Sequence, residues 1–356
     1  MSAFSVLVVV GIGQATLCVL TVMLLLFNRE RQRRRVDRMR EGVASVGAPL
    51  RRWVVEGHGL DEVAASLRLL PPQLALDQAS SAVTRQLPLT QQRELASALC
   101  GELWVHRILA LETSSRWWQR LEAARMLSVV GGPEDDRTLH RLLRDRHPAV
   151  RVAAASCLPR LATALHVARV LDMLHNESSA VRAYQYNVLR QVWSLAEPRL
   201  LERLTPEARP ERLVVWINLA EVIASPRCLA IVAVLSTHAD PLVRLAVARA
   251  LKLYYHPGAQ PRLLVLLQDT DWRVRAQAAR ALGCLDAVDA VAPLTARLGD
   301  SSWWVRFRSA LALAALGETG RQALRDARLL PDRYAAEMAT MVSGLSTSNV
   351  VELSDG

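Results

Sequence analysis

Residue types able to do covalent or metal chemistry are scattered in this 356-residue sequence. The five cysteines, at 18, 100, 157, 228 and 284, form no CxxC, and the eight histidines form no HxxxH or HExxH. A protein metal site needs such ligands at short helical or loop spacings, so no metal site is legible. GxSxG, P-loop and GxGxxG patterns are also lacking, and no nucleophile stands at useful spacing from a base. The reading is therefore of a non-enzyme without a cofactor. Odd, scattered cysteines on predicted helices fit reduced, buried thiols. The chemistry that does recur is that of arginine. Of 44 basic residues only Lys252 is lysine, and a guanidinium is the side chain that pairs with carboxylates through two parallel hydrogen bonds.

These arginines keep a register. Arg151, Arg182, Arg244, Arg275 and Arg306 are 31, 62, 31 and 31 residues apart, within DRHPAVRVAAASCL, NESSAVRAYQYNVL, HADPLVRLAVARAL, DTDWRVRAQAARAL and DSSWWVRFRSALAL. The double step holds a degenerate unit centred on Leu213, and one step back from Arg151 lies Arg120, giving seven units. Four residues after each register position come Ala124, Ala155, Tyr186, Ile217, Ala248, Ala279 and Ala310. Seven after come Leu127, Leu158, Leu189, Ala220, Leu251, Leu282 and Leu313. Apolar residues at these offsets make one stripe of a helix, and small ones let neighbouring helices approach. Shorter apolar segments such as AVAPLTARLG lie between them. Each unit is predicted to be an antiparallel helix pair that buries its face only against its neighbours.

An Asp, five residues, then Val-Arg at the end of that interval stands at Asp145/Val150/Arg151, Asp269/Val274/Arg275 and Asp300/Val305/Arg306. This resembles HEAT repeats of the compact bacterial type. The resemblance implies an all-α HEAT-type solenoid over residues 114–345. It also implies that Asp145, Arg151, Arg182, Arg244, Asp269, Arg275, Asp300 and Arg306 form a structural ladder between repeats. HEAT arrays bind partners on the face lined by each second helix. The polar columns five and eight residues after the register position, with the aromatic residues that interrupt the pattern, give the candidate partner-binding set Tyr184, Asn187, Arg190, Asn218, Glu221, Arg249, Lys252 and Arg280. Tyr186 and Trp216 also replace small residues, Trp193 follows, and Tyr186 and Trp193 suit the core. Trp117, Trp118, Trp272, Trp303 and Trp304 recur at the start of second helices and are expected to staple them against the first.

Outside the array, Met1 to Phe27 contains no charged side chain, and residues 29–40 hold seven arginines against Glu30 and Asp37, half of the net charge of +10. As a helix, residues 3–27 reach about 37 Å, longer than a hydrocarbon core of about 30 Å. The segment reads as a single transmembrane anchor (1–28) that contacts the lipid bilayer through residues 3–27, followed by a basic juxtamembrane segment (29–41). By the positive-inside rule Arg29, Arg31, Arg33, Arg34 and Arg35 mark the cytoplasmic end. This predicts a single-pass protein of the cell inner membrane, its N-terminus outside and its array in the cytoplasm. Residues 42–113 read as a helical cap or diverged repeats, with helices over 60–70, 73–87 and 90–112, the last capped by Thr90. Residues 346–356 lack periodicity and read as a flexible tail.

The function expected is a membrane-anchored scaffold or adaptor for a membrane-associated protein partner. At the level of architecture it resembles accessory proteins of inner-membrane glycosyltransferases in exopolysaccharide production. One alternative is nucleic-acid binding, as in HEAT-like DNA glycosylases, with Arg125, Arg249, Arg280 and Arg308 meeting phosphates. The mild charge of the array speaks against it. A weaker alternative is a bilin-lyase-like activity, for which no exposed nucleophile is evident.

Overall fold

A computed structural model describes residue 23 and residues 44–84, 87–254 and 258–355. Among these residues the chain is all-α, without strands. The columns that repeat every 31 residues lie in its core. Ala124, Ala155, Ile217, Ala248, Ala279 and Ala310 are fully buried, as are Leu127, Leu189, Leu251, Leu282 and Leu313. Burying each such leucine contributes roughly 1.5–3 kcal/mol. The small column brings backbones close: a Cβ built on Gly283 would lie 2.9 Å from Ala312 Cα on the next second helix.

The described residues form two compact units, divided between Leu161 and Ala162. In the first, a helix over 44–56 precedes Leu60–Arg68, Pro72–Thr84, Leu89–Leu99 and Leu103–Leu109, and then the first register helices Trp117–Val130 and Pro148–Ala155. Trp53, Leu67, Leu76, Leu95, Leu99 and Met126 meet in its core. Two details differ from the sequence reading. The helix expected over 90–112 is two helices, separated where Gly101 precedes an extended Glu102. Thr90 lies inside the earlier helix, whose cap position is Pro88 without a side-chain bond.

In the second unit the second helices of successive repeats are Ser179–Gln191, Pro210–Ile223, Pro241–Leu251, Trp272–Cys284 and Trp303–Ala315. Their starts follow from local chemistry. Ser178, Asp240 and Asp271 accept hydrogen bonds from the backbone N–H of Val181, Leu242 and Arg273, satisfying donors that an unfinished first turn leaves open. Pro210 and Pro241 occupy first-turn positions, where a missing N–H costs nothing. Residues 346–356, without periodicity in the sequence, include the helix Thr347–Asp355, which packs on Trp303–Ala315 with Val350 buried.

Arginines of the register join consecutive repeats. Arg120 donates from Nε and Nη2 to Asp145 at 2.5 and 2.9 Å, Arg244 to Asp269 at 2.6 and 2.9 Å, and Arg275 to Asp300 at 2.8 and 2.8 Å. The remaining Nη1 turns back to two carbonyls of its own loop: Ser114 and Ser115 for Arg120, His238 and Ala239 for Arg244, Asp269 and Thr270 for Arg275. Each aspartate also accepts a backbone N–H two residues on, from His147, Asp271 or Ser302. Thus one guanidinium fixes both its loop and the next repeat. Arg151, Arg182 and Arg306 likewise grip their own loops, donating to the carbonyls of Asp145, Glu177 and Asp300. Arg306 then lies over the Tyr334 ring, 4.8 Å from its centroid.

Burial by itself would raise the carboxyls of Asp145, Asp269 and Asp300, but the guanidinium and the backbone N–H outweigh it and hold all three below the ordinary aspartate range. A carboxyl lowered by folding stabilises the fold above its unfolded value of about 3.9, and that stabilisation disappears as pH falls through the lower folded value. The urea midpoint, followed by circular dichroism, is expected to stay level from about pH 8 to 6 and to drop below about pH 4. The triple variant D145N/D269N/D300N should start lower and decline less. An equal acid decline in that variant would remove the ladder as its cause.

Other expectations need correction. Among the described residues no helix is long and apolar enough to cross a membrane. The register helices of 13 or 14 residues span only about 21 Å at 1.5 Å per residue. This overturns the placement as a single-pass inner-membrane protein with its array in the cytoplasm. Residues 3–27, read as the span, and Arg29, Arg31, Arg33, Arg34 and Arg35 lie outside the described residues. The tryptophans at helix starts do not simply staple first helices. Trp117 stacks on His147 of the next repeat's loop at 3.9 Å, and Trp303 stacks on Phe307 of its own helix at 4.9 Å. Cysteine burial is also mixed. Cys157 and Cys228 are buried, with burial pushing their thiols up to about 12 and about 11, whereas Cys100 is exposed.

Candidate functional site

The candidate residues of the second unit sit on its register helices. On Ser179–Gln191, Tyr184, Asn187 and Arg190 are exposed, three residues apart and therefore on one helix face. Trp193 follows at the same interval, across the break at Val192, and is 53% exposed. The sequence reading places Trp193 in the core; the structure places it outside. Trp193 and Arg190 line a groove of about 480 Å³ with Glu197, Ile223, Ser225 and Arg227. At its floor the buried Glu197 accepts hydrogen bonds from the Ser225 hydroxyl and, at 3.2 Å, from Arg227.

The other two aromatic residues that interrupt the pattern face inward. Tyr186 donates its hydroxyl to the Val215 carbonyl at 2.9 Å, and burial pushes its phenol up to about 12. The buried Trp216 donates its indole N–H to the Leu171 carbonyl at 3.1 Å. Each ring fills space that an alanine leaves open in other repeats of its own column, and both polar tips find backbone acceptors. Tyr186 and Trp216 are structural.

Along the same face, Asn218, Glu221, Arg249 and Lys252 come together across two helices. Arg249 donates Nε to Glu221 at 2.9 Å and Nη2 to Asn218, while Lys252 Nζ lies 3.3 Å from the other Glu221 oxygen. One carboxylate holds two cations, leaving a local excess of one positive charge. The next repeat contributes Arg280, which is partly buried. Farther on, the equivalent positions are Gly283 and Leu311, both buried. The face therefore changes along its length from exposed aromatic and polar, through a paired charge network, to enclosed.

The arginines considered for phosphate contacts are largely committed. Arg125 donates to Asp77 and Ser80, Arg249 to Glu221 and Asn218, and Arg308 to the Leu353 carbonyl. Among the described residues no group of three or more His, Cys, Asp or Glu side chains is placed to hold a metal ion.

Comparison with known proteins finds a family match over part of the chain. Residues 197–276, 228–314 and 261–342 match the family model of HEAT repeats. No curated protein matches the chain. Among solved structures it is similar to YibA of E. coli, with 19% identity over 72% of this chain and 95% of that one and a TM-score of 0.37. It is also similar to the complex of CpcE and CpcF of phycocyanin lyase from Nostoc sp., with 18% identity, 68% and 94% coverage and a TM-score of 0.29. A third is human deoxyhypusine hydroxylase in complex with glycerol, with 19% identity, 77% and 96% coverage and a TM-score of 0.30.

Proposed function

We propose that this chain, with its HEAT repeats, is a non-enzymatic scaffold that binds a protein partner on the face carrying Tyr184, Asn187, Arg190 and Trp193. The observation that supports this most is the exposure of Trp193 and Arg190 beside a groove, with Tyr184 also exposed on the helix that carries Arg190. Trp, Tyr and Arg are the residue types that concentrate binding energy at protein interfaces. The paired network of Asn218, Glu221, Arg249 and Lys252 extends the same face and supplies a polar rim. A glycosyltransferase partner has no support among the comparisons and is not carried forward.

A photo-crosslinking amino acid at Asn187 tests this reading in cells that produce the chain. Crosslinks to a discrete protein are expected, and the variant W193A/R190A should weaken their yield at least about tenfold, the effect of losing a hot spot of more than 1.4 kcal/mol. The same probe at Glu337, on the helix Arg333–Ser343, should give none of these products. Crosslinks only to nucleic acid, or protein products of equal yield from both positions, would sink the proposal.

A further inference from the structure

Two successive joints between repeats of the second unit carry the same balance of charge. The groove beside Trp193 is lined by one carboxylate, Glu197, and two guanidinium groups, Arg190 and Arg227. Arg227 keeps 72% of its side chain exposed and Glu197 only 9%, so the carboxylate lies beneath and the cation outside. Glu197 is already satisfied by the Ser225 hydroxyl and Arg227 Nη1. Arg190 is exposed and has no carboxylate partner among the described residues. At the next joint Glu221 holds Arg249 at 2.9 Å and Lys252 at 3.3 Å. Each joint has two cations to one carboxylate, and together they carry a surplus of two positive charges.

The two joints form one strip. Arg190, Glu221 and Lys252 stand 31 residues apart, at the same position of three successive repeats. Ile223, two residues beyond Glu221, is a wall of the groove. The second helices that carry these residues pack side by side. At about 10 Å from axis to axis, two steps make about 20 Å, the reach of about six extended residues. Between its charges the groove is apolar, with Trp193, Ile223 and Pro226 in its lining.

We propose that the occupant of this strip is an acidic peptide segment of a partner protein. It sets one apolar side chain against Trp193, Ile223 and Pro226 and directs carboxylates to Arg190, Arg227 and Lys252. This rests on the reading of the Trp193 face as a protein-binding surface and adds the chemistry of what binds there. Charge complementarity selects the sign, because a basic segment would meet a surplus of its own charge, which costs affinity and slows encounter. A carboxylate also matches a guanidinium through two parallel hydrogen bonds, and Arg190 is uncommitted. A nucleic acid fits less well. Its affinity comes from phosphates that meet many cations, whereas three of the four cations here share a carboxylate, which repels a phosphate in turn.

Selection of phage-displayed random dodecapeptides on the immobilised full chain tests the proposal. The peptides taken should be rich in Asp and Glu around an aromatic or aliphatic residue. As labelled synthetic peptides, followed by fluorescence anisotropy, they should weaken as salt is raised. W193A should weaken them by about tenfold or more. R190E/K252E turns the surplus of two positive charges into two negative ones while keeping the Glu197–Arg227 and Glu221–Arg249 pairs. It should lose the acidic peptides by about tenfold or more, and selection on it should turn to peptides rich in Lys and Arg. Neutral or basic peptides taken by the unaltered chain and lost in W193A would overturn the acidic partner while leaving the face a protein-binding surface. Acidic peptides held equally by W193A and R190E/K252E bind elsewhere and would overturn the proposal, as would a selection that enriches nothing. A labelled oligothymidylate bound more tightly than the selected peptides, and lost in R190E/K252E, would overturn it in favour of nucleic acid. The composition of the peptides taken by the unaltered chain decides even where a variant folds poorly. Whether the face takes a protein at all is read separately, by the crosslinks from Asn187.

Discussion

D300A is expected to lower stability by about 3 kcal/mol, the cost of leaving one member of a buried ion pair behind. Asp300 has only 3% of its side chain exposed and Arg275 12%. Removing the carboxylate takes away two charge-assisted bonds from Arg275 and the acceptor of the Ser302 N–H. The stranded guanidinium keeps its bonds to the Asp269 and Thr270 carbonyls, so it stays in place, charged and under-solvated. Because repeats are stabilised by their neighbours, the loss should appear first as faster amide exchange in Trp272–Cys284 and Trp303–Ala315, before the urea midpoint of the remainder moves. R275M/D300L should recover part of the loss, since an apolar pair of similar volume strands no charge. The exposed pair Arg333–Glu337 is the control: E337A should leave the midpoint where it was. A D300A protein no less stable than E337A would show that the ladder is ornamental.

G320A should destabilise by a similar amount, about 3 kcal/mol, at the upper end of what overpacking costs. On helix propensity alone the change would help by about 1 kcal/mol. Gly320 is buried within Gly317–Ala327, and a Cβ there would lie 1.9 Å from the Leu313 carbonyl oxygen and 2.9 Å from its carbon. That oxygen belongs to the backbone of the preceding second helix and cannot swing aside as a side chain would. The helices must separate, and the cavity that Arg321, Leu324 and Arg325 line must change shape with them. G101A, where nothing lies within 4 Å of the added carbon, should be neutral. Urea midpoints of the two variants decide the matter; equal midpoints would mean that the close approach at Gly320 relaxes without cost.

How much of this was legible beforehand depends on which interactions leave a periodic trace. The alanine and leucine columns did, because a helix face returns at fixed intervals and the neighbouring repeat imposes the same volume each time. The Asp–Arg joint left a trace for the same reason. Pairings across the outer face did not: nothing in the spacing of Asn218, Glu221, Arg249 and Lys252 says that one carboxylate gathers two cations. Trp193 looked like core because a large residue can fill space where a degenerate repeat packs imperfectly, yet the helix ends at Val192 and the ring turns outward. The C-terminal helix Thr347–Asp355 is short and buries chiefly Val350, too few apolar positions to announce a period.

The arginine that grips its own loop and the next repeat's aspartate has a consequence for how such a chain changes length. The block 245–275 carries both halves of the joint, Asp269 and Arg275. A second copy inserted after Arg275 would find its aspartate already facing the original arginine, and would offer its own arginine to Asp300. The array is thus cut from a pattern whose seams match wherever the cloth is joined, so that a gene duplication in frame with the 31-residue period extends the binding face without disturbing either end.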